Sequence, residues 1–162
     1  MKKLCFFVIF VAIITHLVKK MIEIYKVTTA SAKLTEAFEK LLPQLSQSAQ
    51  MPGDKQVEQL VNSENTHLFV AEVEGVIVGM LSLVVVDIPT GRKAWIEDVV
   101  VDEAARGLYI GQALVEKAKE AAAELGAKKI YLTSNPSRKA AHALYSKCGF
   151  EEYSTCVFRI NI

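Results

Sequence analysis

The stretch Asp98-Val-Val-Val-Asp-Glu-Ala-Ala-Arg-Gly-Leu-Tyr-Ile-Gly-Gln-Ala-Leu114 decides the fold. Its β-branched run stops at Val101, a short loop carries Arg106 and Gly107, and a helix begins near Ile110. Ile110, Leu114, Ala118, Ala121 and Leu125 recur at helical spacing, so the helix is expected over Gly111 to Leu125, with Gly126 as its terminating residue. The unpaired N–H groups at the start of such a helix, together with its dipole, make an anion site. Gly107 and Gly111 would let the backbone come close to a phosphate. Taken alone, the same letters also fit an ordinary strand-to-helix turn that uses two glycines.

On the C-terminal side, Lys129 to Thr133 reads as a short buried strand. Asn135 and Pro136 open a helix that runs to about Lys147 and stops at Gly149, and Tyr153 to Ile160 alternates as a final strand. On the N-terminal side, residues 22 to 27 suit a strand, and Ala32 to Leu42 a helix that Pro43 should break. After a polar loop, Asp54 caps a short helix through Val61. His67 to Val73, Val76 to Val86 and Ala94 to Val101 form a meander, turned by Glu74-Gly75 and by Pro89, Thr90 and Gly91. The class is α+β (mixed α/β).

The whole chain has 162 residues and a formal net charge of +1. That is about one domain, and it has no basic field to draw nucleic acid. Cys5, Cys148 and Cys156 are scattered, without C-x-x-C or metal spacing, so free thiols and no metal are expected. Residues 1–20 are a separate hydrophobic segment, MKKLCFFVIFVAIITHLVKK, ahead of a domain at 21–162. Three readings stay open. A cleaved signal lacks a small-x-small site, and a membrane anchor would want about 20 apolar residues. The favoured reading takes Met21 as the true start, which places the domain in the cytoplasm; a membrane enters only if residues 1–20 are retained.

The segment Arg106-Gly-Leu-Tyr-Ile-Gly111 resembles motif A of the GNAT acetyltransferase superfamily, [Q/R]-x-x-G-x-[G/A]. The stretch LTSNPSRKAAHALYSKCGF, Leu132 to Phe150, resembles that family's motif B, and the two stand in the right order. The likeness is sharp from about Ile96 to Phe150. It implies a mostly antiparallel central sheet, splayed between strands 4 and 5 and flanked by helices. It also implies acetyl-CoA as co-substrate and a small-molecule or peptide amine as acceptor. By the resemblance, the backbone of Val99, Val100 and Val101 pairs with the pantetheine arm, and Arg106, Gly107, Ile110, Gly111 and Gln112 line the pyrophosphate. Asn135 holds the pantetheine amide, and Tyr145 gives a proton to the leaving thiolate. One departure stands out: the family usually has Gly where this chain has Tyr109.

An attacking amine must lose a proton, and Glu97 and Asp98 are the candidates to take it. Strand alternation puts them on opposite faces, and Glu97 shares a parity with Val99 and Val101, which favours Glu97. Trp95 fits either a pocket wall or the core, His67 is expected to be solvated, and His142 to sit at the surface or cofactor edge. The rival function is an acyl-CoA-binding or sensor module with weak catalysis. Members of the resembled family often dimerise, so the resemblance admits a homodimer, which no residue forces.

Overall fold

The computed structural model describes residues 22–161; the hydrophobic segment at residues 1–20 and its three readings lie outside them. One sheet runs in sequence order: β1 (Ile22–Lys26), β2 (Thr66–Val73), β3 (Val76–Ile88), β4 (Gly91–Val101) and β5 (Ile130–Leu132). Pairing is antiparallel from β1 to β4 and parallel between β4 and β5. The helices are α1 (Ala32–Leu45), α2 (Asp54–Val61), α3 (Ile110–Glu124) and α4 (Lys139–Lys147). The class is α+β, as the sequence implied.

Alternation along the strands sorts the apolar residues into two layers. Leu68, Val70, Ile77 and Met80 meet Leu34, Phe38 and Leu41 of α1 and Val57 and Val61 of α2. On the opposite face, Phe69, Ala71, Leu81, Leu83, Ala94 and Ile96 meet Ile110, Leu114, Val115, Ala118 and Ala122 of α3. Each large side chain so buried contributes about 1.5–3 kcal/mol before entropy is counted. Gly79 of β3 lets α3 come close, because a Cβ there would lie 3.2 Å from Ile110 Cγ2, from Leu114 Cδ1 and from the Val100 carbonyl oxygen.

Two features of β4 set up the site. First, β5 pairs with it only at Ala94, Trp95 and Ile96, so Glu97 to Val101 have no strand on that side. This is the expected splay. Second, the register against β3 passes from Ser82 opposite Glu97 to Met80 opposite Val100, leaving Asp98 and Val99 against Leu81. The extra residue is a bulge, and Asp98 carries it at φ 52. The consequence shows in the core: Ile96 faces α3, while Val100, four residues on, packs with α1 and α2. The parity argument that separated Glu97 from Asp98 therefore fails at this point.

Other expectations change too. Pro43 lies inside α1 rather than ending it. It is exposed, and the carbonyl that loses its partner belongs to Glu39, also exposed, so water replaces that bond. α4 begins at Lys139 rather than at Asn135, because residues 135–138 close a turn of their own. Tyr153 to Ile160 forms no strand; the segment from 151 to 161 is exposed and makes no backbone hydrogen bond among the described residues. A strand needs a ladder partner, and among the described residues this one has none. No helix among the described residues is long and apolar enough to cross a membrane.

Candidate active site

The end of β4 leads through Asp102 and a 3₁₀ turn, Glu103–Ala105, into the loop before α3. Asp102 is buried, accepts from Ala104 N at 3.2 Å through Oδ1, and pairs with Lys40 of α1. The Lys40 ammonium holds its carboxyl below the usual aspartate value. Gln44 Oε1 of α1 accepts from Glu103 N at 2.9 Å. These two contacts fix the loop against α1 and so fix where α3 starts.

α3 starts without a side-chain cap. Its first backbone bond runs from Ala113 N to the Tyr109 carbonyl, so the N–H groups of Ile110, Gly111 and Gln112 precede the intrahelical ladder. Tyr109 stands at φ 61 and ψ 14, the left-handed conformation that glycine adopts freely. Its ring is exposed. A tyrosine there costs about 1–2 kcal/mol. Gly111 is needed for packing: a Cβ would come 3.1 Å from Leu144 Cδ2 of α4.

A cleft of about 870 Å³ runs between this helix start, the unpaired edge of β4 and α4. Val99, Val100, Val101, Arg106, Gly107, Ile110, Gly111, Gln112 and Tyr145 all line it. Arg106 Nε points at the Val101 carbonyl at 3.4 Å, and Nη1 lies 3.3 Å from Glu103. A second cavity of about 420 Å³ lies beyond, lined by Glu97, Asp98, Ser46, Gln50, Thr133 and Ser134 among others. Leu45, Val99, Arg138 and Tyr145 belong to both, so Tyr145 stands where the two meet. The bulge puts both Glu97 and Asp98 on the smaller cavity.

Burial raises the Tyr145 pKa above the ordinary tyrosine value, with the Glu97 charge adding to it against Arg138, which lowers it. Glu97 reaches the surface, yet partial burial and then the Asp98 charge raise its pKa above 4.5. Asn135 is not brought into either cavity. Its Oδ1 accepts from Ser137 N at 2.9 Å, and its carbonyl accepts from Arg138 N at 2.9 Å and lies 3.1 Å from His142 Nε2.

Three further residues are placed by the structure. Arg138 lines both cavities and donates from Nη2 to the Leu45 carbonyl at 2.8 Å. Its signal was its spacing, seven positions or two helical turns before Tyr145. Trp95 stacks on Tyr131 at 5.2 Å between ring centroids and lines neither cavity. His67 is buried rather than solvated, its Nε2 has no partner among the described residues, and burial then Lys26 lower its pKa. Cys148 is buried and free.

The larger cleft thus ends on free helix N–H groups and opens, where Tyr145 stands, into a second pocket. Residues 33–150 match the model of the Acetyltransferase (GNAT) family, and the chain belongs to that family. It is 44% identical over 62 residues to a probable glucosamine 6-phosphate N-acetyltransferase 2 of Oryza sativa subsp. japonica. That match spans 38% of this chain and only 36% of the relative. The crystal structure of glucosamine-6-phosphate N-acetyltransferase from Arabidopsis thaliana superposes with a TM-score of 0.72 at 25% identity, covering 86% of this chain and 97% of that one. An aminoglycoside acetyltransferase from an uncultured soil metagenomic sample shares the fold, with a TM-score of 0.76 at 20% identity over 90% and 99% of the two chains.

Proposed function

We propose that the protein transfers the acetyl group of acetyl-CoA directly to a primary amine of a small molecule. The observation that carries this reading is the position of Tyr145 at the junction of two cavities, with the Glu97 and Asp98 carboxylates in the smaller one. In this reading the diphosphate lies on the N–H groups of Ile110, Gly111 and Gln112 beside Arg106, and the pantetheine arm follows the open edge of Val99 to Val101. The acceptor occupies the smaller cavity. Its nitrogen attacks the thioester carbonyl carbon, a backbone N–H of the β4 edge steadies the charge on oxygen, and the C–S bond breaks. Glu97 takes the proton the amine gives up, directly or through water, and the Tyr145 hydroxyl protonates the sulfur. A thiol near pKa 8.5 is a weaker base than tyrosinate near 10, a gap of about 2 kcal/mol that burial of Tyr145 widens. Proton transfer is therefore concerted with C–S cleavage rather than subsequent to it.

Two carboxylates and Arg138 in one small cavity suit an acceptor with a cationic amine and an anionic group. A phosphorylated amino sugar has both, and the rice and Arabidopsis relatives are named for one. The test is thiol release from acetyl-CoA in the presence of glucosamine 6-phosphate, glucosamine, an aminoglycoside and a lysine peptide. Turnover is expected with glucosamine 6-phosphate first. Release with no amine overturns direct transfer. A melting shift with acetyl-CoA and no turnover on any amine supports instead a binding module, which the left-handed Tyr109 at the phosphate site would favour.

A further inference from the structure

The larger cleft departs from the charge balance of the chain. The whole sequence has 19 basic and 18 acidic residues. The cleft is lined by Arg106, Arg138, Lys139 and Lys147, and by no aspartate or glutamate among the described residues. The smaller cavity, in contrast, holds Glu97 and Asp98. Arg106 and Arg138 are already engaged. Arg106 lies 3.3 Å from Glu103, beside the N–H groups at the start of α3. Arg138 donates to the Leu45 carbonyl where the two cavities meet. Lys139 and Lys147 make no ion pair among the described residues.

α3 treats its lysines differently. Lys117 pairs with Glu120 and Lys119 with Glu116, each one turn away. α4, Lys-Ala-Ala-His-Ala-Leu-Tyr-Ser-Lys, has no acidic residue to pair with. Its two lysines open and close the helix, about 12 Å apart along the axis at 1.5 Å per residue. Between them Ala140 and Ala143 line the cleft and leave its wall unobstructed. Leu144, also between them, packs on Gly111, where an added Cβ would come 3.1 Å from its Cδ2. The start of α3 therefore touches α4 in the span that the two lysines bracket.

We infer that Lys139 and Lys147 bind the 3′-phosphate of the coenzyme, so that the cleft selects acetyl-CoA over thioesters that lack this group. The inference rests on acetyl-CoA as the co-substrate, as in the proposed function. At neutral pH the coenzyme carries about four negative charges, two on the diphosphate and close to two on the 3′-phosphomonoester. The N–H groups at the start of α3 and Arg106 answer the diphosphate. One ribose joins the diphosphate to the monoester, so the second charge falls within a nucleoside's length of the α3 start. α4 is the wall that can answer it, because its lysines stand on either side of Leu144 and line the same cleft. An ammonium holds phosphate as a point charge on a flexible four-carbon stem, so two such stems can converge on one group without a fixed geometry.

The test compares acetyl-CoA with acetyl-dephospho-CoA, which lacks only the 3′-phosphate. Binding is read by calorimetry, which needs no turnover, and kcat/KM by thiol release with an amine that is acetylated. The wild-type chain is expected to favour acetyl-CoA about 30-fold or more. In the double variant Lys139→Gln, Lys147→Gln the preference should fall to about threefold or less, through weaker binding of acetyl-CoA. Each single variant should show a partial loss. Both lysines are exposed, and the melting temperature without ligand checks that the variants fold. The pair Lys128→Gln, Lys129→Gln removes the same charge from exposed positions outside both cavities and should keep the full preference. A wild-type chain that binds the two thioesters alike overturns the inference and leaves the proposed function standing. So does a preference that survives the double variant, or one lost equally in the Lys128 and Lys129 pair. Binding of neither thioester overturns the proposed function, and this inference with it.

Discussion

α3 and α4 face each other across the larger cleft, and they are held in different ways. α3 buries Ile110, Leu114, Val115, Ala118 and Ala122 against the sheet. α4 has no fully buried residue; it lays Leu144 and Tyr145 half-buried against the core and is fastened near its ends, where Arg138 Nη2 donates to the Leu45 carbonyl and Lys119 Nζ to the Cys148 carbonyl, each at 2.8 Å. The helix that offers N–H groups is thus positioned by the core, and the helix that carries Tyr145 by directional polar contacts. Damage to the first should show in melting, and damage to the second in turnover.

The largest expected effect tests the core side. Leu114→Ala should cost about 3 kcal/mol in chemical denaturation, against about 1 kcal/mol for the half-buried Leu144→Ala on α4. Equal costs would break the contrast. Next comes the polar side: Tyr145→Phe should lower kcat about 100-fold, near 2.7 kcal/mol, while the acetyl-CoA melting shift persists. A variant that loses both would make Tyr145 a packing residue.

Glu97→Gln should lower kcat/KM at neutral pH about tenfold and remove the acid limb of its pH profile. A carboxylate whose pKa is raised loses its charge earlier as pH falls, so the wild-type limb should lie above 4.5. Tyr145, also raised, stays protonated past the ordinary tyrosine range, so it should impose no alkaline limb below pH 10. The smallest effect is expected at the join between loop and helix. Tyr109→Gly relieves the left-handed backbone at φ 61 and should add about 1 kcal/mol of stability, partly offset by glycine's chain entropy. Acetyl-CoA should bind a few-fold tighter by calorimetry.

The strand-loop-helix around Arg106 was legible because its signals are local: β-branched residues, glycines and helical spacing within one short window. Both turns of the meander were legible for the same reason, Glu74 and Gly75 taking positive φ as a tight hairpin requires. The bulge at Asp98 was not, because only the register against β3 reveals it, and it alone brings Asp98 beside Glu97. Asn135 looked like a helix cap and a ligand contact, yet its side chain is taken up by Ser137 N. Arg138 went unnoticed because what matters is its reach to the end of α1, 93 residues earlier in the chain. The letters of the tail alternate as a strand's do, but a strand is a statement about a neighbour, and the letters do not name one.

Gly79 sits in β3, 27 to 30 positions before the loop of Arg106 to Tyr109. Because a single added carbon would press on Ile110 and Leu114 at once, the height of the helix above the sheet is set from below. An alanine there would act as a shim, tilting the fringe of amide hydrogens away from whatever anion it was aimed at. In the proposed reaction, the hold on the co-substrate is thus tunable from the floor of the domain as well as from the walls of its cleft.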